Sequence, residues 1–129
     1  MEDGRYKLDD FELYKIARGF RKRAYQLLKQ LPPEERYALG VQMRRAALSI
    51  TNNIAEGHGR WHYQENIHFC RISRGSVDEL IDDINTCEDE GYGDQALVGE
   101  LKIEAYDLIR RINGYIAYLR KTKQGGEEC

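Results

Sequence analysis

Hydrophobic residues recur along this 129-residue chain in alternating steps of three and four, which place them on one face of an α-helix. Four segments carry such a stripe, at about residues 9–30, 33–57, 61–90 and 94–122. The stripes are Leu13, Ala17, Phe20, Ala24, Leu27 and Leu31; Leu39, Met43, Ala46, Ile50 and Ile54; Cys70, Ser73, Val77, Leu80, Ile84 and Cys87; and Val98, Leu101, Ala105, Leu108, Ile112, Tyr115 and Leu119. No segment alternates as a strand does, so the pattern predicts an all-α protein.

The boundaries between these segments carry residues that start or end helices. Asp9 and Asp10 can cap the first helix, and Asp94 can cap the fourth. Glycine-containing segments at 57–59 and 91–93 end the second and third helices. Both prolines of the chain lie together where the second helix begins, a position that tolerates proline.

Four amphipathic helices with short connections predict an antiparallel, up-down-up-down four-helix bundle. The chain length suits a single domain with one core. We therefore expect the bundle to span residues 9–122, with a flexible N-terminus over 1–8 and a flexible C-terminal tail over 123–129.

Two of the helices have apolar residues on a second side, away from the core stripe. Helix two carries Tyr37, Val41, Leu48 and Ala55 there, and helix four carries Ile103, Tyr106 and Ala117. A monomeric bundle has no use for a second apolar stripe, which is typical of an interface. Self-association is the favoured interpretation, and scattered surface hydrophobes are the alternative.

Charge divides unevenly along the chain although its formal net value is only −2. Residues 1–60 hold 12 Lys and Arg against 8 Asp and Glu, whereas residues 61–129 hold 8 against 14. The acidic excess is concentrated in a run with no Lys or Arg, namely Asp78, Glu79, Asp82, Asp83, Glu88, Asp89, Glu90 and Asp94. This run lacks the spacing of a calcium loop, and it is interpreted as a solvated face or a surface for a basic protein partner.

The cysteines and the chain start indicate a cytoplasmic protein. Cys70, Cys87 and Cys129 are an odd number without Cys-x-x-Cys spacing, and are expected to be reduced thiols, two of them in the core. The acidic start is unlike a signal peptide, and no apolar run is long enough to span a membrane.

No constellation of residues predicts catalysis or a cofactor. His62, Glu65 and His68 repeat at three-residue steps, and Glu65-x-x-His68 is half of the motif used by di-iron bundles. The chain has no second copy, so a solvated helix face is favoured over a metal site. Cys70 and His68 are two residues apart and point in different directions on a helix. We therefore expect no enzyme, no metal and no cofactor.

A basic stripe on helix one is the candidate RNA-binding surface. It consists of Lys15, Arg18, Lys22 and Lys29, with Arg44 and Arg45 added by helix two. Such a stripe can neutralise a few phosphates, and an ordinary solvated face is the alternative.

Three segments resemble a known family. They are residues 31–35 (Leu-Pro-Pro-Glu-Glu), residues 42–60, which contain Arg-Arg-Ala-Ala and Asn-Ile-Ala-Glu-Gly, and residues 74–80 (Arg-Gly-Ser-Val-Asp-Glu-Leu). In these the chain resembles the bacterial four-helix bundle proteins, also called the 23S rRNA intervening-sequence protein family. Thr51 stands where relatives often have proline, so a straighter second helix is expected. Tyr14 stands where tryptophan is common.

The resemblance implies a ring-like homopentamer and an association with 23S rRNA intervening sequences. It also implies a distant link to accessory proteins of reverse transcriptases. Those proteins are typically basic, whereas this chain is mildly acidic. The favoured function is a non-enzymatic, RNA-associated homo-oligomer, and the alternative is a scaffold that binds only proteins.

The polar residues of the motif are predicted to hold helices two and three together. They are Asn53, Glu56, Arg60, Arg74, Ser76 and Glu79. Buried polar groups need partners, so we expect contacts such as Glu56 with Arg74. A ligand or RNA contact is the alternative role of this motif.

Overall fold

A computed structural model describes residues 7–60 and 62–125, with the side chains of 123–125 excepted. It contains four α-helices: α1 (Glu12–Leu28), α2 (Leu39–His58), α3 (Tyr63–Glu90) and α4 (Gln95–Gly125). One-turn 3-10 helices precede α1 and α2, at Leu8–Asp10 and Pro33–Glu35. The described residues include no strand, in agreement with the predicted all-α class.

The helix boundaries differ from the prediction by three or more residues at three places. Asp9 and Asp10 lie in the 3-10 turn, and α1 begins after Phe11 without a side-chain cap. The α-helical part of α2 starts at Leu39 rather than near 33. α4 continues to Gly125, three residues beyond the predicted end, while 1–6 and 126–129 lie outside the described residues.

Two predicted helix boundaries are confirmed. Asp94 caps α4, because its Oδ1 accepts a hydrogen bond from the Ala96 backbone N–H at 3.1 Å. Gly91 follows α3 in the left-handed conformation with φ of 70°, which a glycine adopts without steric cost.

The core is built from the predicted stripes. Every residue of the four stripes is buried except Tyr115, which is half-buried. Leu27, Met43, Ile50, Leu80 and Ile112 are among the largest fully buried side chains. Burial of the stripes is the main stabilising contribution to a bundle of this kind.

Consecutive helices run antiparallel. Each helix packs against two neighbours. α1 packs against α2 and α4, and α3 packs against the same two helices. α2 and α4 therefore occupy diagonal positions. Within the described ranges, no helix is long and apolar enough to cross a membrane.

Thr51 anchors α2 to α1 in the middle of the bundle. Its buried hydroxyl accepts a hydrogen bond from Arg21 Nη1 at 2.7 Å and donates to the Leu48 carbonyl at 3.1 Å. A proline at this position has no hydroxyl and would remove both bonds. α2 continues through Thr51 as an unbroken helix.

Candidate functional site

A chain of small polar side chains joins α2 to α3. Asn53 Nδ2 donates to the Ser49 carbonyl at 2.8 Å and to Ser49 Oγ at 3.0 Å. Ser49 Oγ in turn lies 2.8 Å from Ser76 Oγ. The buried Ser73 hydroxyl donates to the Ile50 carbonyl at 2.8 Å. Ser76 therefore contacts α2 through Ser49, a residue that the prediction did not include, whereas Asn53 bonds within α2.

The expected contact between Glu56 and Arg74 is wrong. Glu56 pairs instead with Arg60, one turn along α2, and its side chain is 50% exposed. Arg74 reaches α4, where its Nη1 donates to Asn113 Oδ1 at 2.6 Å. The two charged groups have different neighbours because Glu56 lies on the exposed side of α2 beside Arg60, whereas Arg74 faces α4.

Gly57 lies where α2 packs tightly against α3. A Cβ atom at this position would lie 2.6 Å from Asn66 Oδ1 and 3.2 Å from Phe69 Cβ. Asn66 is itself held in place, since its Nδ2 donates to the Tyr115 hydroxyl at 3.0 Å. The glycine of the Asn-Ile-Ala-Glu-Gly segment is thus required by packing, a role that sequence reasoning missed because a glycine near a helix end also predicts a simple stop.

Charge is segregated between the two ends of the bundle. Cross-helix bonds from Arg21 to Thr51, Ser49 to Ser76 and Arg74 to Asn113 mark the middle. We define the basic half as residues 7–19, 51–60, 62–75 and 110–122, and the acidic half as residues 20–50 and 76–109. The basic half holds ten Lys and Arg against five Asp and Glu, and the acidic half holds eight against thirteen. Antiparallel packing gathers these charges from all four helices.

The predicted basic stripe lies on the outer face of α1. Lys15, Arg18, Lys22 and Lys29 are all exposed there. Lys15 and Arg18 approach Glu12 and Asp9 at 3.6 Å, while Lys22 and Lys29 have no partner among the described residues.

The two arginines that α2 was predicted to add do not share one surface. The Arg44 guanidinium lies over the Tyr25 ring of α1, 4.9 Å from its centroid, and so extends the α1 face. Arg45 points to the other side of α2 and lines a groove against α3. Its inclusion in the α1 basic surface was wrong, because one residue is 100° of rotation on a helix.

The groove beside Arg45 contains the buried carboxylate of Asp83. The pKa of Asp83 is raised to about 6, mainly by burial and also by the nearby Asp82 and Glu79, while Arg45 acts to lower it. Glu79 also lines this groove, so it lies apart from the Ser and Asn contacts with which the motif grouped it.

The histidine group is dispersed along the start of α3. His62 precedes the helix, and Glu65 and His68 are exposed. His68 makes an edge contact with the Phe69 ring at 5.3 Å. Within the part of the chain that the structure describes, no three His, Cys, Asp or Glu side chains gather as metal ligands.

Two thiols lie in the core as predicted. Cys70 and Cys87 are buried and unbridged, and burial raises the pKa of each to about 11. Thiols held in the neutral form are poor nucleophiles and poor metal ligands. Cys129 lies outside the described residues.

The second apolar sides of α2 and α4 are exposed. Tyr37, Val41 and Leu48 are 84%, 48% and 40% exposed, and Ile103 and Tyr106 are 73% and 57% exposed. All five belong to the acidic half. We call Tyr37, Val41 and Leu48 the α2 seam, and Ile103 and Tyr106 the α4 seam. Because the two helices are diagonal, the seams lie on opposite sides of the bundle.

The fold and these surfaces define a class: a four-helix bundle whose second and third helices meet through serines, an asparagine and a close-packed glycine. The chain belongs to the 23S rRNA-intervening sequence protein family, whose model matches residues 9–114. The family resemblance of the motif segments is therefore confirmed.

The fold is similar to that of a solved protein. This is a protein with unknown function from the S23 ribosomal protein family of Bacteroides thetaiotaomicron VPI-5482, with a TM-score of 0.74 and 17% sequence identity. The similarity covers 81% of this chain and 97% of that chain. No curated protein matches the chain in sequence.

Proposed function

We propose that this protein is a non-enzymatic homo-oligomer that assembles through its two seams and associates with RNA through the α1 basic face. The exposed seams are the observation that carries the proposal, because they place large apolar side chains in water on two opposite sides of the bundle.

The positions of the seams favour a head-to-tail contact. The α2 seam of one copy meets the α4 seam of the next, and such a contact between unlike surfaces generates a ring when the rotation closes. Five subunits is the number that the family resemblance implies. The α4 seam is well suited to burial because its neighbouring charges are already neutralised: Asp107 pairs with Arg110 and Arg111, and Lys102 pairs with Glu88.

Assembly is also what makes RNA association effective. One α1 face offers only a few cations, two of which have carboxylates nearby. A ring repeats the face, and linked copies raise the effective concentration of each later phosphate contact. The family name supports RNA as the ligand. Binding is expected to be weak, sensitive to salt and largely independent of sequence.

RNA binding is tested with a labelled single-stranded RNA over a series of salt concentrations. The variant carries Arg18→Glu and Lys22→Glu, and a matched control carries Arg71→Glu and Arg120→Glu, which reverse two exposed cations on the opposite side of the bundle. We expect the α1 variant to lower the slope of log affinity against log salt by roughly 1.4, about 0.7 for each lost phosphate contact. The control should keep the slope of the wild type.

The outcomes separate the two functions considered. No RNA binding at low salt, combined with a mass in light scattering that is a multiple of 15.1 kDa, favours the protein-only scaffold. RNA binding that the control weakens as much as the α1 variant assigns RNA to another face.

A further inference from the structure

The groove between α2 and α3 contains a carboxylate that no described residue pairs with or hydrogen-bonds. The groove has a volume of about 180 Å³ and is lined by Gln42, Arg45, Ala46, Glu79, Asp82 and Asp83. Asp83 is only 6% exposed, and it has no hydrogen bond or ion pair with any described residue. Among the described residues, one polar side-chain atom is fully enclosed and has no hydrogen-bond partner, and this atom is Asn85 Oδ1. The Asp83 oxygens, in contrast, reach the groove.

The charge of the groove is unbalanced. α3 contributes three carboxylates, Glu79, Asp82 and Asp83, and α2 contributes one guanidinium, Arg45, and the neutral amide of Gln42. Arg45 forms no ion pair with these carboxylates in the described structure. A buried anion without a partner costs stability, so its presence in a well-packed bundle indicates a ligand that completes it.

We propose that this groove binds a lysine or arginine side chain of a basic partner polypeptide. The Asp83 carboxylate lies where it can receive the cationic head as a charge-assisted hydrogen bond, with Asp82 and Glu79 at the groove edge. Gln42 offers a carbonyl oxygen to a further N–H of the same group. The ammonium or guanidinium remains bound without any covalent step.

The surroundings favour a polypeptide with several cations. The acidic half extends the negative surface beyond the groove, through exposed carboxylates of α3 such as Asp78 and Asp89. A run of basic residues anchored at Asp83 would meet these carboxylates in turn. Steering by a surface of one sign also accelerates the encounter of such partners.

A second copy of this chain is a poor source of the cation. A copy that docks through its α4 seam brings Lys102, Arg110 and Arg111, and each of these already pairs with a carboxylate of its own chain. The partner in the groove is therefore a different molecule, and its binding does not depend on the proposed RNA association.

The test measures binding of a fluorescent nona-arginine peptide to the full-length protein by anisotropy at pH 7.5 and low salt. We expect Asp83→Asn to weaken binding by at least about tenfold, as when one member of a buried charge pair is removed. The matched control, Glu90→Gln, removes the same charge from an exposed position on α3 and should change the affinity less than about twofold. Asp83→Asn is expected to fold because it removes an unpartnered buried charge.

Two results would overturn the inference. Equal losses in Asp83→Asn and Glu90→Gln would mean that the peptide binds the acidic surface in general and not the groove. Loss of self-association in Asp83→Asn, measured by sedimentation, would assign the groove to a second copy. In either case the RNA-binding and seam experiments still test the proposed function, because their results do not depend on what binds in the groove.

Discussion

The basic half and the acidic half of the bundle share one hydrophobic core but differ in how their polar groups are used. In the basic half, the buried Ser73 hydroxyl donates to α2, the Asn66 amide donates to Tyr115 of α4, and Gly57 lets α2 and α3 approach closely. In the acidic half, Asp83 has no partner among the described residues, and five large apolar residues are exposed, against two, Ile72 and Tyr118, in the basic half. Polar groups that are satisfied internally hold a fold together, whereas unsatisfied groups and exposed apolar surface are typical of binding. The comparison therefore assigns the close packing of α2 against α3 to the basic half, and protein recognition to the acidic half.

The largest expected effect breaks the close packing of the basic half. Gly57→Ala places a Cβ against Asn66 Oδ1 and Phe69 Cβ, and should lower the free energy of unfolding by about 2–3 kcal/mol. Gly75→Ala is the matched control, because the same methyl group on α3 meets nothing within 4 Å. It should raise the stability by about 0.5–1 kcal/mol through helix propensity. Urea unfolding measures both, and equal effects would show that Gly57 has no packing role.

Removal of the Asp83 charge in the acidic half should raise the free energy of unfolding rather than lower it. The pKa of Asp83 is about 6 in the folded protein and about 3.9 in an unfolded chain. The folded state therefore holds a proton that the unfolded state releases between these values, and the free energy of unfolding falls as pH rises from about 4 to 6. Asp83→Asn should be more stable than the wild type by roughly 3 kcal/mol at pH 7.5 and nearly equal to it near pH 4.

Unfolding curves at pH 7.5 and pH 4 test this prediction, with Glu90→Gln as the exposed control. The control should differ from the wild type by less than about 0.5 kcal/mol at both values. A destabilised Asp83→Asn at pH 7.5 would mean that Asp83 supports the fold, which contradicts its assignment to recognition.

The smallest expected effect concerns a charged pair on the surface of the basic half. Glu56 pairs with Arg60 one turn away, and both side chains are at least 41% exposed. Such a pair contributes little because water screens it, so Glu56→Ala should cost less than about 0.5 kcal/mol. Thermal melts check this. A loss of several kcal/mol would restore the sequence-based expectation that Glu56 is buried and paired across helices.

Periodicity predicted the fold well because a helix buries every third or fourth residue. Leu27, Ile50 and Leu80 all lie in the core as the stripes required. The same rule separates core from surface on any one helix, so it also predicted that Val41 and Ile103 face outward.

The partners of polar side chains were harder to predict. Arg74 was expected to meet Glu56 on α2 and instead reaches Asn113 on α4. The partner of such a side chain depends on which helix packs beside it, and the sequence pattern does not give that arrangement. Comparing the charges of residues 1–60 with those of residues 61–129 also did not reveal the basic and acidic halves of the bundle. Antiparallel helices bring residues from distant parts of the chain into the same half. Asp83 was predicted within the acidic run, but its burial depends on the packing of α2 against α3.

The central claim is that the protein assembles through the seams of its acidic half, and sedimentation velocity of a matched pair of variants tests it directly. Leu48 belongs to the α2 seam and Ile72 lies on α3 in the basic half, and both side chains are 40% exposed. We predict that the wild type and Ile72→Asp sediment as the same oligomer at micromolar concentration, while Leu48→Asp sediments as a 15.1 kDa monomer. A monomeric wild type, or an Ile72→Asp that dissociates as Leu48→Asp does, would contradict the account.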